Sequence, residues 1–333
     1  MYSFLSGLYQ KGRVSSLSKE NGKWMSGAKA GTLQRRLYDQ RYLFLMLLPT
    51  IIMVILFVYK PVAYWVIAFT DYRVGQGSFE GAWNHFESFK EFFIDSAEAG
   101  RVFQNTLVIN LSSLFINMIS AMIFAILLNE IRFRFAKSLV QTFSLLPFFV
   151  SWVITYSFFQ TFFSTNTGLV NVLFMRTGLI SEGGNLLGDS KNSYLLMIIA
   201  NLWKSLGYNS VIFLATIAGI DQDQYEAAEI DGAGRLGKIW YITVPGLANT
   251  LAVLIVLNSG WILSTNFDQF YQFTNPTNIT TMEVFDMYVY RFGMKLGRYS
   301  YATAVGVCKT VIGLIMLWIA NKAYKKMIGT SIF

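Results

Sequence analysis

The sequence predicts an all-α integral membrane protein with six transmembrane helices and both termini in the cytoplasm. Three observations carry this expectation. The 333-residue chain is 54% hydrophobic and only 14% charged, whereas a soluble domain carries about 25% charged residues. The charges are gathered between long apolar runs, and a run of roughly 20 mainly apolar residues is what a spanning helix needs. In lipid, backbone polar groups find no water, so each such run must satisfy its own hydrogen bonds as a helix.

The first run covers about 42–60, YLFLMLLPTIIMVILFVYK, where Pro49 predicts a kink. The second covers about 103–128 and the third about 139–162, with Pro147 inside it. The fourth, about 194–218, is interrupted by Asn201, Lys204 and Asn209. The fifth covers about 245–266 and the sixth about 300–320. The first run begins too deep in the chain for a signal sequence and is longer than a signal core. Its 29 Phe, 18 Tyr and 8 Trp suit a protein with aromatic belts at the membrane surfaces.

Charge bias sets the orientation. The arm 1–41 holds Lys11, Arg13, Lys19, Lys23, Lys29, Arg35, Arg36 and Arg41 against Glu20 and Asp39. The link 129–138 holds Arg132, Arg134 and Lys137 against Glu130, and the tail 321–333 holds Lys322, Lys325 and Lys326 with no acid. The positive-inside rule puts these segments in the cytoplasm. Segment 61–102, on the other side, is richer in acids than in bases. The chain therefore divides into an arm 1–41, a membrane domain 42–320 and a tail 321–333. The aromatic and amide-rich outer stretch NFDQFYQFTNPTN is a second candidate docking face, ordinary aromatic packing at the membrane surface being the plainer reading.

Several function classes drop out. The net charge of +8 has no basic stripe with interleaved aromatics to suit nucleic acid. Cys308 and His85 stand alone in their residue types, which rules out an internal disulfide and Cys- or His-rich metal sites. No phosphate-binding G-x-x-x-x-G-K-[ST] sequence is present, so the chain is not expected to hydrolyse ATP. No acid–base pair within the spans suggests a membrane enzyme. No clear inverted repeat or coupling-ion acid favours a secondary transporter, which stays as an alternative beside a non-catalytic assembly subunit.

One cytoplasmic loop breaks the charge rule. Residues 219–245 set Asp221, Asp223, Glu226, Glu229 and Asp231 against Arg235 and Lys238. Tyr225–Ile230 contains good helix formers, and Asp221 or Asp223 can cap the helix start. Ala227 and Ala228 leave the backbone open to a partner surface. Gly232, Ala233 and Gly234 permit a sharp turn. A second short helix over Arg235–Tyr241 then returns to the bilayer, with Pro245 opening the fifth span. The expected shape is a helix–turn–helix knob with its acids near the tip.

This loop, DQDQYEAAEIDGAGRLGKIWYITVPG, resembles the EAA motif of binding-protein-dependent ABC importer permeases. Val244 stands where the motif usually has Leu. The stretches YLFLMLLP, VIAFTDY, QTFSLLPFFVSW and YSYATAVG resemble the sugar-type branch, above all its oligosaccharide and polysaccharide permeases. Phe148 departs from that branch, which often has His after the proline. The resemblance spans roughly residues 40–325. It implies a type I importer permease in the bacterial inner membrane, with the coupling loop seated in a groove of an ATP-hydrolysing subunit. It also implies a homologous permease partner, two ATPase subunits that use ATP and magnesium, and an extracytoplasmic binding protein delivering a saccharide. Acidic uronate oligomers such as alginate belong to that cargo class.

The substrate path is less legible. Polar groups within spans are costly unless paired or facing a cavity. Asn110, Asn117, Gln141, Asn201, Lys204, Asn209, Asn258 and Lys309 are the candidates, with Trp152, Trp203, Tyr208 and Trp261 as flat faces for sugar rings. Asn and Gln donate and accept, which suits hydroxyl-rich ligands. Lys204 has two open readings: a counter-charge for an acidic sugar, or a structural partner within the fold.

Overall fold

The computed structural model describes residues 40–77, 79–178 and 183–328. Apart from Gln40 and Arg41, the arm expected over 1–41 lies outside the described residues, as do the last five residues of the tail. The chain divides into two units, residues 1–64 and 65–333.

The described part of the first unit is helical from Arg41, and the apolar helix α1 runs over Arg41–Phe69. It passes through Pro49 without a break and widens into a π turn at Ile55–Tyr59, just before Pro61. A proline lacks the N–H and its ring crowds the carbonyl four residues back. The wider turn shifts that carbonyl by one residue, so the proline enters a continuing helix.

The second unit begins with a short antiparallel pair, β1 (Thr70–Asp71) on β2 (Ala82–Trp83), and a one-turn helix α2 (Glu87–Lys90). His85 and Phe86, just before α2, both take positive φ, and His85 is exposed. The long helices follow: α3 (Ala99–Asn129), the pair α4 (Arg134–Phe149) and α5 (Trp152–Phe163), α6 (Leu169–Arg176) and α7 (Ser193–Ala218). Next come the loop helix α8 (Gln222–Ile230) and α9 (Arg235–Ser259), then three short helices, α10 (Phe267–Phe273), α11 (Ile279–Met282) and α12 (Phe285–Tyr290). The last helix, α13 (Tyr299–Ile328), extends past residue 320 and carries Lys322, Lys325 and Lys326 on its end.

Among the described residues the protein is all-α apart from one two-stranded ribbon, and six uninterrupted spans are not found. Among the described residues, α1, α3, α9 and α13 are long and apolar enough to cross a membrane. The third expected span is the α4–α5 pair, bent by 106°, which brings the count to five if it is one span. The fourth, α7, has 26 residues, but Asn201, Lys204 and Asn209 dilute its apolar character.

Helices α3 and α7 lie side by side, with small residues at Ala121, Ala125 and Ala200 allowing close approach. The segment after α9, which holds the aromatic and amide-rich stretch, turns several of its large side chains into the core. Phe270 and Phe273 of α10, Met282 of α11, and Phe285 and Tyr288 of α12 are buried. They pack against Ile109 and Val102 of α3, Leu196 and Met197 of α7, and Val305 of α13. Its amides serve the same end: Asn278 donates to Leu187 O and Phe273 O, and Asn105 of α3 donates to Thr280 O and Glu283 O. Glu283, almost fully buried, pairs with Arg291, which also reaches Glu98. At the opposite end of the unit, Phe213 and Ile217 of α7, Leu247 of α9 and Ile126 of α3 form a third cluster beside the acidic loop.

Candidate functional site

The acidic loop folds as a capped helix, a tight turn and a second helix. Asp221 caps α8: its side chain accepts from the Asp223 N–H at 3.1 Å. At the other end Asp231 closes the helix and Gly232 takes φ +79°, with open space where a Cβ would sit. Gly232 N–H donates to Glu229 O and Ala233 N–H to Ala228 O, at 3.1 and 2.8 Å. This is the Schellman arrangement, in which a left-handed residue lets two amides return to the last helical carbonyls. Gly234, in extended conformation, then starts α9.

The loop is tied to the fold at its base. Tyr225 and Thr243 hydroxyls lie 2.9 Å apart, and Arg235 grips Glu130 at the end of α3 through side chain and backbone. Lys238 pairs with Glu229 at 2.8 Å, and that bond holds the Glu229 carboxyl below its usual pKa range. A lowered carboxyl pKa means this exposed pair contributes above the ordinary carboxyl range and is lost as pH falls through the lowered value.

Glu226, Ala227 and Asp231 are exposed, and Ala228 and Ala233 are half-buried. Large apolar groups stand beside them: Ile230, Leu236, Trp240 and Tyr241 are all exposed. An acidic tip flanked by uncovered apolar side chains suits a docking surface more than a solvated loop.

Pro245 does not begin its helix. Helix α9 starts ten residues earlier, at Arg235, and a π turn at Ile239–Thr243 carries it past the proline. Val244 N–H reaches back to Ile239 O, the same arrangement that precedes Pro61.

Most of the path candidates separate into two groups. Asn201, Asn258 and Trp261 line one cavity of about 250 Å³ together with Asn110, Asn117 and Asn209. Two of these amides begin a short hydrogen-bonded chain. Asn117 Nδ2 donates to Asn201 Oδ1 at 2.7 Å, and Asn201 Nδ2 to Gln269 Oε1 at 3.2 Å. Gln269 in turn donates to Met197 O, and Asn110 to Ile262 O. The buried Asn117 Oδ1 has no hydrogen-bond partner. Such a wall donates and accepts without net charge, as a polyhydroxylated ligand requires.

Trp152, Trp203, Lys204 and Tyr208 are elsewhere. Trp152 is buried in the core, Trp203 faces an apolar groove with Phe158 and Phe162, and Tyr208 stacks flat on Phe148 at 3.9 Å. Lys204 points at backbone carbonyls of the α4–α5 bend.

Lys309 has a partner that sequence reading missed. Asp286 of α12 pairs with its ammonium at 2.5 Å and accepts from the Thr265 N–H and hydroxyl, each at 2.7 Å. The pair lines a cavity of about 490 Å³ that also includes Trp261 and Ser264, both of which belong to the amide-lined cavity too. The signal available was a lone Lys in an apolar run, which requires an acid somewhere nearby. Among the described residues, no three His, Cys, Asp or Glu side chains gather to hold a metal.

Residues 102–329 match the family model described as binding-protein-dependent transport system inner membrane component. Protein LplB of Bacillus subtilis (strain 168) is 36% identical over 315 residues, which cover 95% of this chain and 98% of that protein. The polygalacturonan/rhamnogalacturonan transport system permease protein YteP of the same strain is 38% identical over 291 residues, covering 87% and 90%. A crystal structure of a bacterial alginate ABC transporter, in complex with alginate pentasaccharide-bound periplasmic protein, contains a chain of similar fold. Its TM-score is 0.81 at 32% identity, over 90% of this chain and 99% of that one. With the family model matching more than half of its length, this chain belongs to the binding-protein-dependent transport system inner membrane components, as a non-catalytic, multi-pass permease subunit of an ABC importer.

Proposed function

We propose that this permease forms half of an alternating-access path for oligosaccharides or polysaccharides, with acidic uronate oligomers as the preferred cargo. In this reading the chain crosses the membrane six times, the bent α4–α5 pair and α7 supplying the third and fourth spans, and both termini are cytoplasmic. A homologous permease completes the path. Two partner subunits bind and hydrolyse ATP with magnesium, and an extracytoplasmic binding protein delivers the cargo.

The observation that carries the reading is the capped, acid-tipped loop built directly onto α9, whose exposed Ile230, Leu236, Trp240 and Tyr241 offer an ATPase subunit a surface to cover. Cargo class is supported by the amide-lined cavity, which includes Trp261, and by the similarity to a polygalacturonan/rhamnogalacturonan permease and to an alginate transporter. Glu226, Ala227, Ala228, Asp231 and the Gly232–Gly234 turn are the docking residues; Asn201, Asn258 and Trp261 are the path residues.

The test is purification of the whole assembly and measurement of ATPase stimulation by binding protein loaded from a saccharide panel. Uronate oligomers should stimulate most. Stimulation by neutral saccharides alone would overturn the cargo class, and no stimulation by any would overturn the importer reading.

Reversing Glu226 and Asp231 to lysine is expected to lower co-purification of the ATPase subunits by roughly fivefold, the loss of one to two charge-assisted contacts. Unchanged co-purification and transport would remove those two acids from the docking surface. Trp261→Ala is expected to raise the transport KM several-fold while ATPase attachment stays intact; a KM equal to the parent's would take Trp261 off the path.

A further inference from the structure

A helix that ends within a membrane protein leaves its last carbonyls without partners, and no water is at hand to take them. Helix α4 ends this way at Phe149, where Val150 and Ser151 turn extended and the chain bends by 106° into α5. Local bonds meet part of the need: Val150 N–H closes on Pro147 O, and Ser151 Oγ accepts from the Ile154 N–H to cap α5. Three carbonyls at the bend also receive bonds from one side chain on the neighbouring helix. Lys204 Nζ donates to Pro147 O and Phe148 O, each at 3.0 Å, and to Val150 O. An ammonium has three N–H bonds, and all three are used. Its charge also sits at the negative end of α4, where a cation is favoured.

The neighbouring residues of α7 hold the same bend. At Gly207 the helices come so close that an added Cβ would lie 2.1 Å from the Ser144 carbonyl oxygen. Tyr208 stacks on Phe148 with the rings 4° from parallel. Positions 204, 207 and 208 share one helix face. One turn earlier, Asn201 joins Asn117 and Gln269 at the wall of the amide-lined cavity. At its far end, α7 leads through Gly219 and Ile220 directly into the Asp221 cap of the acidic loop.

We infer that Lys204 is a positioning residue that couples α7 to the Val150–Ser151 bend, so that a displacement entering α7 from the acidic loop changes the angle between α4 and α5. The role belongs to transport itself and leaves Lys204 no donor for a cargo carboxylate. It rests on the importer reading above for the source of the displacement.

The test uses the complete assembly in proteoliposomes with Lys204→Met, Lys204→Gln and Lys204→Arg. Spin labels on exposed Phe143 of α4 and Phe158 of α5 report the bend. Lys204→Met should lower maximal transport on the order of tenfold with KM changed less than about twofold, equally for acidic and neutral cargo, while ATPase activity persists. The label distance should broaden. Lys204→Arg should recover both readouts in large part, and Lys204→Gln, which keeps two donors without the charge, should fall between. Should the methionine variant not assemble, the glutamine and arginine variants carry the comparison. A KM rise confined to acidic cargo, or a label distance and transport rate equal to the parent's, would overturn the inference. Failure of the unaltered assembly to respond to loaded binding protein would instead count against the importer reading, because the label distance is measured without cargo.

Discussion

Gly207→Ala is expected to destabilise the protein by about 3 kcal/mol, the upper part of the range for overfilling a packed site. The added carbon would lie 2.1 Å from Ser144 O and 2.3 Å from its carbonyl carbon. These are backbone atoms of α4, so no rotamer change can make room. Either the two helices separate, stretching the Lys204 bonds and the Tyr208–Phe148 stack, or α4 shifts along its axis. Thermal unfolding of purified protein, read as loss of the monodisperse peak, measures the effect. Gly219→Ala is the control, since its new carbon would meet Thr216 O at 3.4 Å and Ala215 O at 3.8 Å, both at ordinary contact distance. If the two variants melt together, the close approach of α7 to α4 is wrong.

Asp286→Ala is expected to cost a similar amount, about 3 kcal/mol, the low end for breaking a buried pair. The low end applies because the side chains keep 23% and 17% of their exposure, Asp286 and Lys309 respectively. The variant leaves the Lys309 ammonium without its carboxylate in the last span, and Thr265 loses the acceptor for both its N–H and its hydroxyl. Adding Lys309→Met should recover most of the loss, because removing both charges ends the penalty of burying one. A double-mutant cycle on melting temperature checks this. Additive losses would mean that the two residues do not depend on each other.

Much of the fold was legible because membrane helices announce themselves through long apolar runs. Residues 103–128 and 300–320 fall within α3 and α13. The loop was legible for a local reason: an Asp cap, helix formers and a glycine at the left-handed position lie within a dozen residues of one another. What escaped depends on distance along the chain or on compensation. The partners of Lys204 are carbonyls more than fifty residues away, and carbonyls leave no mark in a sequence. Asp286 lies beyond the fifth apolar run, where nothing in the sequence ties it to Lys309 more than twenty residues on, and it is the burial of its neighbours Phe285 and Tyr288 that brings it to the last helix. In the sequence Pro49 reads as a kink and Pro245 as the opening of the fifth span, yet α1 runs through Pro49 unbroken. The bend comes after Pro147, at Val150, and a π turn absorbs Pro245. The path candidates were only partly legible because an amide in a span looks the same whether it bonds to another helix, as Asn201 does, or returns to its own, as Asn258 Nδ2 does to Leu254 O.

The passage of α9 through Pro245 has a mechanical consequence. With 25 residues in one helix, α9 is about 37 Å long, and its first turn belongs to the acidic loop. A broken helix would let the loop swivel while the span stood still. An unbroken one behaves as a lever whose loop end is gripped by Glu130 through Arg235 and whose far end stops at Ser259, two residues before Trp261. A tilt of roughly 10° about its middle would swing each end by roughly 3 Å, using the rise of 1.5 Å per residue. That is about the diameter of a water molecule, delivered beside the aromatic ring that both central cavities share.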